Sequence, residues 1–451
     1  MPGICRLLRG ITRSLRRQSA FVVGCTLLVG ALVYVYCAGS DETKRAATVP
    51  LVATATRTAL VPVATQTPAT PTATWIPGAP SAAHTPARPT ATRTSAAPTA
   101  TRTPSPPTAT STPEPLVPTA VPKPDRTNTP GMPNVPALPA GFPPERRRFG
   151  VGVPGVSGGA HNYALDRLGI GWYLNWGVQR PGRWTDALAF WQMLRLSEHG
   201  YQPAEETIRR VAESVPGSVW LVGNEPDVRW QDNVTPERYA ELYHELYALL
   251  KAVDPTCRVA VGGVSQPTPL RMAYLDRVLD AYRNRYGEPM PVDVWNVHAF
   301  ILREERGAWG VDIPPGIDVD HGVLYEIDDH DDMAIFEKQI RDFRLWMAQR
   351  GYQDRPLVVS EYGILMPEDY GFAFAAVRDF MVATFDLFLT ARDEQTGYPQ
   401  DDYRLVQFWA WYSLADTVYP TGNLFDPQTK AMTRLGLAHA RYKAPGSVSD
   451  Q

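Results

Sequence analysis

Apolar and polar positions alternate in a regular way only from about Phe149 to Tyr442, and two unlike stretches precede that part. Within it, short apolar runs take turns with amphipathic helical stretches, the signature of parallel βα units. The runs that predict strands lie at 149–153, 170–175, 188–194, 219–223, 258–261, 292–297, 357–360 and 405–411; the third fits a helix equally well. A short helical segment is expected at 161–168, and longer helices at 274–286, 332–350, 372–391 and 429–440. The best marked helix has Thr235 as N-cap and Pro236 at its first position. Tyr239, Leu242, Tyr243, Leu246, Leu249 and Leu250 then line one face, and the helix stops before Asp254-Pro255. Eight strands with helices between them predict an α/β fold, a closed (β/α)8 TIM barrel. The rival is an open doubly wound sheet, which would carry a glycine-rich nucleotide loop or a nucleophile elbow. Gly150-Val-Gly-Val-Pro-Gly155 lacks the dinucleotide spacing, and Gly-x-Ser-x-Gly does not occur in the domain.

The first unlike stretch carries no charge from 18 to 40 and is almost wholly apolar from Ala20 to Ala38. Nineteen helical residues at ~1.5 Å each come close to the ~30 Å hydrocarbon thickness. Arg6, Arg9, Arg13, Arg16 and Arg17 precede it with no acid among them, so the expected topology is a single-pass signal-anchor at 18–40 with a cytoplasmic tail, 1–17. The rest of the chain would then lie outside the cell membrane. A cleaved secretory signal and a lipoprotein signal at Cys25 are the alternatives. The second stretch is compositional. Between 51 and 140, 20 residues are Pro, 21 Thr and 18 Ala, and the acids are Glu114 and Asp125. Such a segment cannot bury enough apolar surface to offset its ordering entropy, so 41–146 reads as a disordered Pro/Thr/Ala-rich stalk with extended polyproline character. The barrel domain is expected at 147–445, with a disordered tail at 446–451.

Charge adds an exclusion. Lys and Arg number 44 against 47 Asp and Glu, and no basic stripe exists to neutralise phosphates, so a nucleic-acid partner is not expected. Cys257 is the one cysteine of the domain. It can form neither an intradomain disulfide nor a cysteine metal site, and it reads as a buried small hydrophobe.

Barrel active sites form at the carboxyl ends of the strands. Acidic side chains there are few: Glu225 follows the fourth run and Glu361 the seventh, positions that face each other across the mouth. Two carboxylates on opposite rims are what glycoside hydrolysis needs. One protonates the departing sugar oxygen while the other attacks the anomeric carbon or activates water. A lone glutamate at a strand end is as often a structural salt bridge; the pair is what carries the reading. Trp409 and Trp411 share one face of the eighth run, and if that face points inward Trp411 is a sugar platform. Trp172 and Asn175 are further candidate contacts, with core packing as the alternative for both tryptophans. Asp227 is expected to bracket its loop. Glu304 and Glu305 begin an insertion at about 302–330 and are possible substrate contacts. The acids Asp328, Asp329, Asp331 and Asp332 around His330 read as a solvated loop or helix start, without metal-ligand spacing.

The motifs at these places resemble those of retaining glycoside hydrolases with a (β/α)8 barrel and glutamates after strands 4 and 7. Asn224-Glu225-Pro226-Asp227 and Ser360-Glu361-Tyr362-Gly363 carry the likeness, with Trp172-Tyr173-Leu174-Asn175-Trp176-Gly177 matching a Trp-Tyr-x-x-Trp-Gly sequence and His298 a histidine after strand 6. Within that group the sequence most resembles the Asl1-like and xylosidase-type glycosyl hydrolase catalytic core. The resemblance implies that Glu225 is the acid/base, Glu361 the nucleophile and Asn224 a contact to the sugar hydroxyl beside the reacting carbon. His298 and Tyr362 are the donors expected to keep Glu361 ionised. The function expected is a membrane-anchored, extracytoplasmic O-glycosidase of retaining mechanism, with a carbohydrate substrate, no cofactor, no metal and no protein partner inferable. A non-catalytic glycan-binding barrel at the cell surface and a purely structural barrel are the competing readings.

Overall fold

The computed structural model describes residues 144–180 and 188–443, which all fall in the unit Thr110–Gln451. Among them the strands are β1 (Phe149–Gly152), β2 (Trp172–Leu174), β3 (Ala189–Phe190), β4 (Gln192–Ser197), β5 (Gly200–Gln202), β6 (Val219–Asn224), β7 (Arg258–Gly263), β8 (Trp295–His298), β9 (Leu357–Tyr362) and β10 (Phe408–Trp411). The helices are α1 (Glu205–Ser214), α2 (Pro236–Val253), α3 (Pro269–Tyr286), α4 (Met333–Gln349), α5 (Phe374–Thr390) and α6 (Arg434–Arg441).

Parallel pairing runs round the whole set. β1 lies between β10 and β2, β2 pairs β3, β4 pairs β6, β6 pairs β7, and β9 lies between β8 and β10. Single parallel bridges, Ala260 to Val294 and Val264 to Val297, join the β7 and β8 segments. β3 and β4 form one stave broken at Trp191, whose N–H still donates to Tyr173 O at 3.0 Å. The staves therefore close into a ring, and β5 folds back antiparallel on β4 outside it.

Alternation along each strand sends one set of side chains into the ring and the other outward. Trp172, Leu174, Trp191, Met193, Val219, Leu221, Ala260, Val294, Val358, Phe408 and Ala410 fill the interior. Trp172 stacks on Trp191 there at 3.8 Å. The outward set, including Tyr173, Trp220, Trp295, Tyr362, Trp409 and Trp411, packs with the helices in the larger core. α2 buries its Tyr239-Leu242-Tyr243-Leu246-Leu249-Leu250 face in this layer, with Pro236 in its first turn. Thr235 does not cap it with its hydroxyl; instead its own N–H donates to Glu198 Oε1 at 2.5 Å. Asp332 does cap α4, accepting from Ala334 N at 2.7 Å and Ile335 N at 3.0 Å.

Several expectations need correction. The predicted membrane segment, 18–40, lies outside the described residues, as do the tail 1–17, the stalk up to residue 143 and the end from 446. No helix among the described residues is long and apolar enough to cross a membrane. The membrane-anchored architecture, the single-pass topology, the membrane partner and the cell-surface placement therefore find no support among the described residues and are not carried further. The stretch 161–168 forms 3-10 turns at Ala160–Asn162 and Leu165–Leu168 rather than one helix. α6 starts five residues later than 429, because Asp426 accepts from the N–H groups of Gln428 and Thr429 and holds them in a turn. Thr433 is the cap instead, its hydroxyl accepting from Gly436 N at 3.0 Å.

His330 pins the two long loops of the catalytic face. It is 1% exposed; its Nδ1 lies 2.9 Å from Ile301 O, and its Nε2 accepts from Leu365 N at 3.0 Å. That pattern needs the neutral ring, and burial pushes its pKa from 6.5 down to about 4. A depressed folded pKa gives stability that is fully present above the unfolded value and lost as pH falls toward the folded one. The stability advantage of wild type over His330→Gln is thus expected to be largest above pH 6.5. It should then shrink by about 1.4 kcal/mol per pH unit toward pH 4 in urea titrations. A pH-independent gap would mean that His330 is not held neutral.

Candidate active site

The carboxyl ends of β6, β8 and β9 bring three titratable side chains into one cavity. Glu225 follows β6 in the left-handed region, φ 44°, a sparsely populated conformation for a residue with a side chain. Two bonds hold the strained turn: Glu225 N donates to Gly263 O at 2.9 Å, and Asn224 N to Asp232 Oδ2 at 2.7 Å. Asp232 also takes Leu196 N and the Arg195 guanidinium, which ties the turn to β4. The Asn224 amide nitrogen reaches Gln231 Oε1 at 3.3 Å, while its Oδ1 is buried without a hydrogen bond.

Glu361 reaches the cavity through a register slip. β10 advances from Trp409 to Trp411 while β9 advances from Val359 to Tyr362, and β8 advances by one residue while β9 goes from Val359 to Glu361. One extra residue at Ser360–Glu361 is a bulge, and it re-aims the side chain. Val359 and Tyr362 face the helices, and without the added residue strict alternation would send Glu361 the same way.

His298, fully buried on β8, stands between the two acids. Its Nδ1 lies 3.0 Å from Glu225 Oε1 and its Nε2 3.9 Å from Glu361 Oε2. Glycine is required beside it: a Cβ on Gly263 would lie 2.4 Å from His298 Cδ2. One ligand-type atom from each of Glu225, His298 and Glu361 lies within 4.8 Å of the others. By donor type the three also suit a divalent metal, although the imidazole–carboxylate bond would have to give way.

Burial pushes the Glu361 pKa up to about 7; the positive His298 beside it and the Trp176 hydrogen bond work against that rise, and the Glu225 charge adds to it. On His298 burial opposes charge, but Glu361 and Glu225 together outweigh it and leave the pKa above its ordinary value. The charges of Glu361 and His298 are therefore coupled, each favouring the ionised form of the other.

Of the other sequence candidates, Asn175 is half-buried at the rim, donating to Gln179 Oε1 at 3.0 Å with its own Oδ1 unpartnered. Three are not brought to the cavity. Trp411 is fully buried and faces outward, its N–H donating to Gly422 O at 2.8 Å, because Phe408 and Ala410 are the inward residues of β10. Tyr362 also faces outward, its hydroxyl beside Thr384 and its ring edge-on to Phe388 and Trp411. Trp172 points into the ring but low in it, stacked on Trp191 and donating to Arg148 O.

Two residues take the places expected of them. Trp176, which also has a left-handed backbone, donates its indole N–H to Glu361 Oε2 at 2.9 Å. Gly152 makes room for it, since a Cβ there would lie 2.8 Å from the indole. Tyr412, one residue beyond β10, lies edge-on to Trp176 at 5.8 Å and donates to Asp416. Parity was the available signal: Trp176 is in phase with Trp172 and Leu174, and Tyr412 with Phe408 and Ala410.

Behind Glu225 lies a buried ion network. Asp227 accepts from Ser265 Oγ at 2.8 Å and pairs with Arg271 at 3.2 Å; Arg271 also pairs with Glu304 at 3.1 Å. Glu304 takes Thr268 Oγ1 and Val323 N as well, so it is a structural acid with no exposure and not a substrate contact. Arg271 donates further to the carbonyls of Asp227, Val311 and Asp312, which clamps the turn after β6 to the insertion after β8.

A family model described as glycosyl hydrolase catalytic core matches residues 154–310, a span that holds Glu225 and His298 but ends before Glu361. No curated protein matches. Among solved structures the chain is similar to a GH128 (subgroup II) endo-β-1,3-glucanase from Pseudomonas viridiflava, at 17% identity and TM-score 0.45 over 66% of this chain and 98% of that one. A GH128 (subgroup III) curdlan-specific exo-β-1,3-glucanase from Blastomyces gilchristii is similar at 18% identity and TM-score 0.43, over 66% and 100%. Likeness of this degree says nothing of substrate or linkage. The narrower resemblance to Asl1-like and xylosidase-type barrels finds no counterpart among these structures, which are GH128 glucanases, and is not carried further. With the acid–histidine–acid cluster, the family match supports a carbohydrate-active, catalytic domain.

Proposed function

We propose that residues 147–445 form a glycoside hydrolase domain that cleaves O-glycosidic bonds with retention, using Glu225 as acid/base and Glu361 as nucleophile. The observation that carries this is the closeness of the two acids, with a carboxylate oxygen of each within 4.8 Å of the other. Retention needs carboxyl groups ~5–5.5 Å apart, and inversion ~6.5–9.5 Å to admit a water. Glu225 gives a proton to the leaving oxygen while Glu361 attacks the anomeric carbon; Glu225 then takes a proton from the water that releases the sugar. His298 and the Trp176 indole stabilise negative charge on Glu361, and no cofactor enters the scheme.

The test is the full chain against a panel of glycans of varied sugar and linkage, read as new reducing ends. Turnover of at least one glycan is expected. Binding without turnover across the panel would favour a glycan-binding barrel. Dialysis against EDTA is expected to leave turnover unchanged; a loss restored by a divalent ion would assign the cluster to a metal.

The pH profile tests the roles. A nucleophile must be ionised, so kcat/KM should fall as pH drops through about 7, where Glu361 takes up its proton. Trp176→Phe removes a donor to the ionised form, so that limb should move to higher pH by about 0.5–1 unit, the equivalent of ~1 kcal/mol. An alkaline limb at this position, moving with Trp176→Phe, would make Glu361 the acid instead.

A further inference from the structure

One cavity of the described residues takes no part in the mechanism above. It is a partly open cavity of about 600 Å³ between the loop that follows β9 and the segment 416–435 that follows β10. That size falls within the ~300–1,000 Å³ usual for small-ligand sites. Phe372, Phe374, Asp416 and Thr421 line it together with Gln428 and Arg434, both of which are exposed.

Three observations narrow the occupant. Phenylalanine and proline side chains line it together with Thr417, Thr421 and Gln428, a mixture that suits a pyranose, apolar on its faces and hydroxylated at its edge. The Arg434 guanidinium stacks over the Phe374 ring at 4.0 Å and makes no ion pair among the described residues, which leaves N–H donors for hydroxyl groups. Glu368, Asp416 and Asp426 outnumber that single cation, so an anionic sugar would meet net repulsion and a neutral one would not.

The cavity also adjoins the catalytic cleft. Asp416 accepts from the Tyr412 hydroxyl, and Tyr412 lies 5.8 Å from the Trp176 ring that bonds Glu361. Tyr419, 43% exposed and 6.3 Å from Tyr412, carries this aromatic row outward over the same turn whose Asp416 and Thr421 form the cavity wall. We propose that this cavity is a second glycan-binding site, taking a neutral stretch of the polymer whose bond is cut at Glu225 and Glu361. It rests on the glycosidase reading for the identity of that polymer, not for the binding itself.

Affinity electrophoresis of the full chain tests it, run in gels that each contain one neutral polysaccharide: a β-1,3-glucan, a mixed-linkage glucan, a xylan or a mannan. Glu361→Gln is used throughout to prevent digestion. Retardation in at least one gel is expected, with a dissociation constant raised fivefold or more by Arg434→Ala and by Gln428→Trp, which adds bulk at an exposed lining position. In the active background both variants should raise KM for that polymer and leave kcat on a short aryl glycoside unchanged. No retardation of the parent in any gel, or equal retardation of both variants, overturns the proposal even where hydrolysis persists. Retardation lost in the variants of a protein that hydrolyses nothing upholds the cavity and rejects the glycosidase reading.

Discussion

Glu225→Gln and Glu361→Gln are each expected to abolish glycan cleavage to within background while leaving the fold intact. Loss of general acid–base action alone is worth ~10²–10⁴-fold, and loss of the nucleophile removes the covalent route altogether. Both side chains end in the same cavity against His298, so they act as one unit and the double variant should be little worse than either single one. Neither change creates a void, because glutamine keeps the volume of glutamate. Steady-state rates on whichever glycan the panel identifies are the readout, with thermal melts to confirm folding. Full activity in either single variant would remove that residue from the mechanism.

The second large effect concerns stability. Arg271→Met is expected to destabilise the domain by about 3–5 kcal/mol, the cost of leaving buried charge uncompensated. Asp227 and Glu304 both face that guanidinium, and none of the three side chains is exposed. Burial already raises the Asp227 pKa, with Arg271 as the chief opposing influence, so removal of Arg271 should drive proton uptake by Asp227. Urea unfolding checks this: the midpoint should fall sharply at pH 7, and part of the loss should be recovered at lower pH. A change below about 1 kcal/mol would show that the network adds little beyond packing. The carbonyls of Val311 and Asp312 would also lose their donor, which loosens the insertion from the turn that carries Glu225.

The elements most legible in the sequence were those whose pattern is set by burial on both sides. β6, β7 and β9 read as uninterrupted apolar runs because one face fills the ring and the other meets the helices. Their ends carry asparagine, glycine and serine beside the acids, which is why Glu225 and Glu361 could be picked out. α1 was missed: Ile208, Val211 and Ala212 are its only buried residues, too short a stripe in a charged segment to register as periodic. The orientation of the tryptophans was not legible from spacing. Trp409 and Trp411 share a face, but whether it points inward depends on neighbouring strands, and Phe408 and Ala410 take the interior. The bulge at Ser360–Glu361 has no sequence marker, so Tyr362 was expected beside Glu361 at the site, whereas it faces the helices. Trp176 lay within the Trp-Tyr-x-x-Trp-Gly stretch in phase with Trp172 and Leu174, and parity alone could have marked it, although its left-handed backbone is not legible in the sequence.

The stereochemistry of the first-formed product decides most directly between a paired-glutamate displacement and any other use of this cavity. Proton NMR, recorded before mutarotation on the glycan that turns over fastest, reads it without assumption about the sugar. The account predicts that the released sugar keeps the anomeric configuration of the bond that was cut. An inverted sugar would contradict it, since inversion requires a water between Glu361 and the anomeric carbon and carboxyl groups ~6.5–9.5 Å apart.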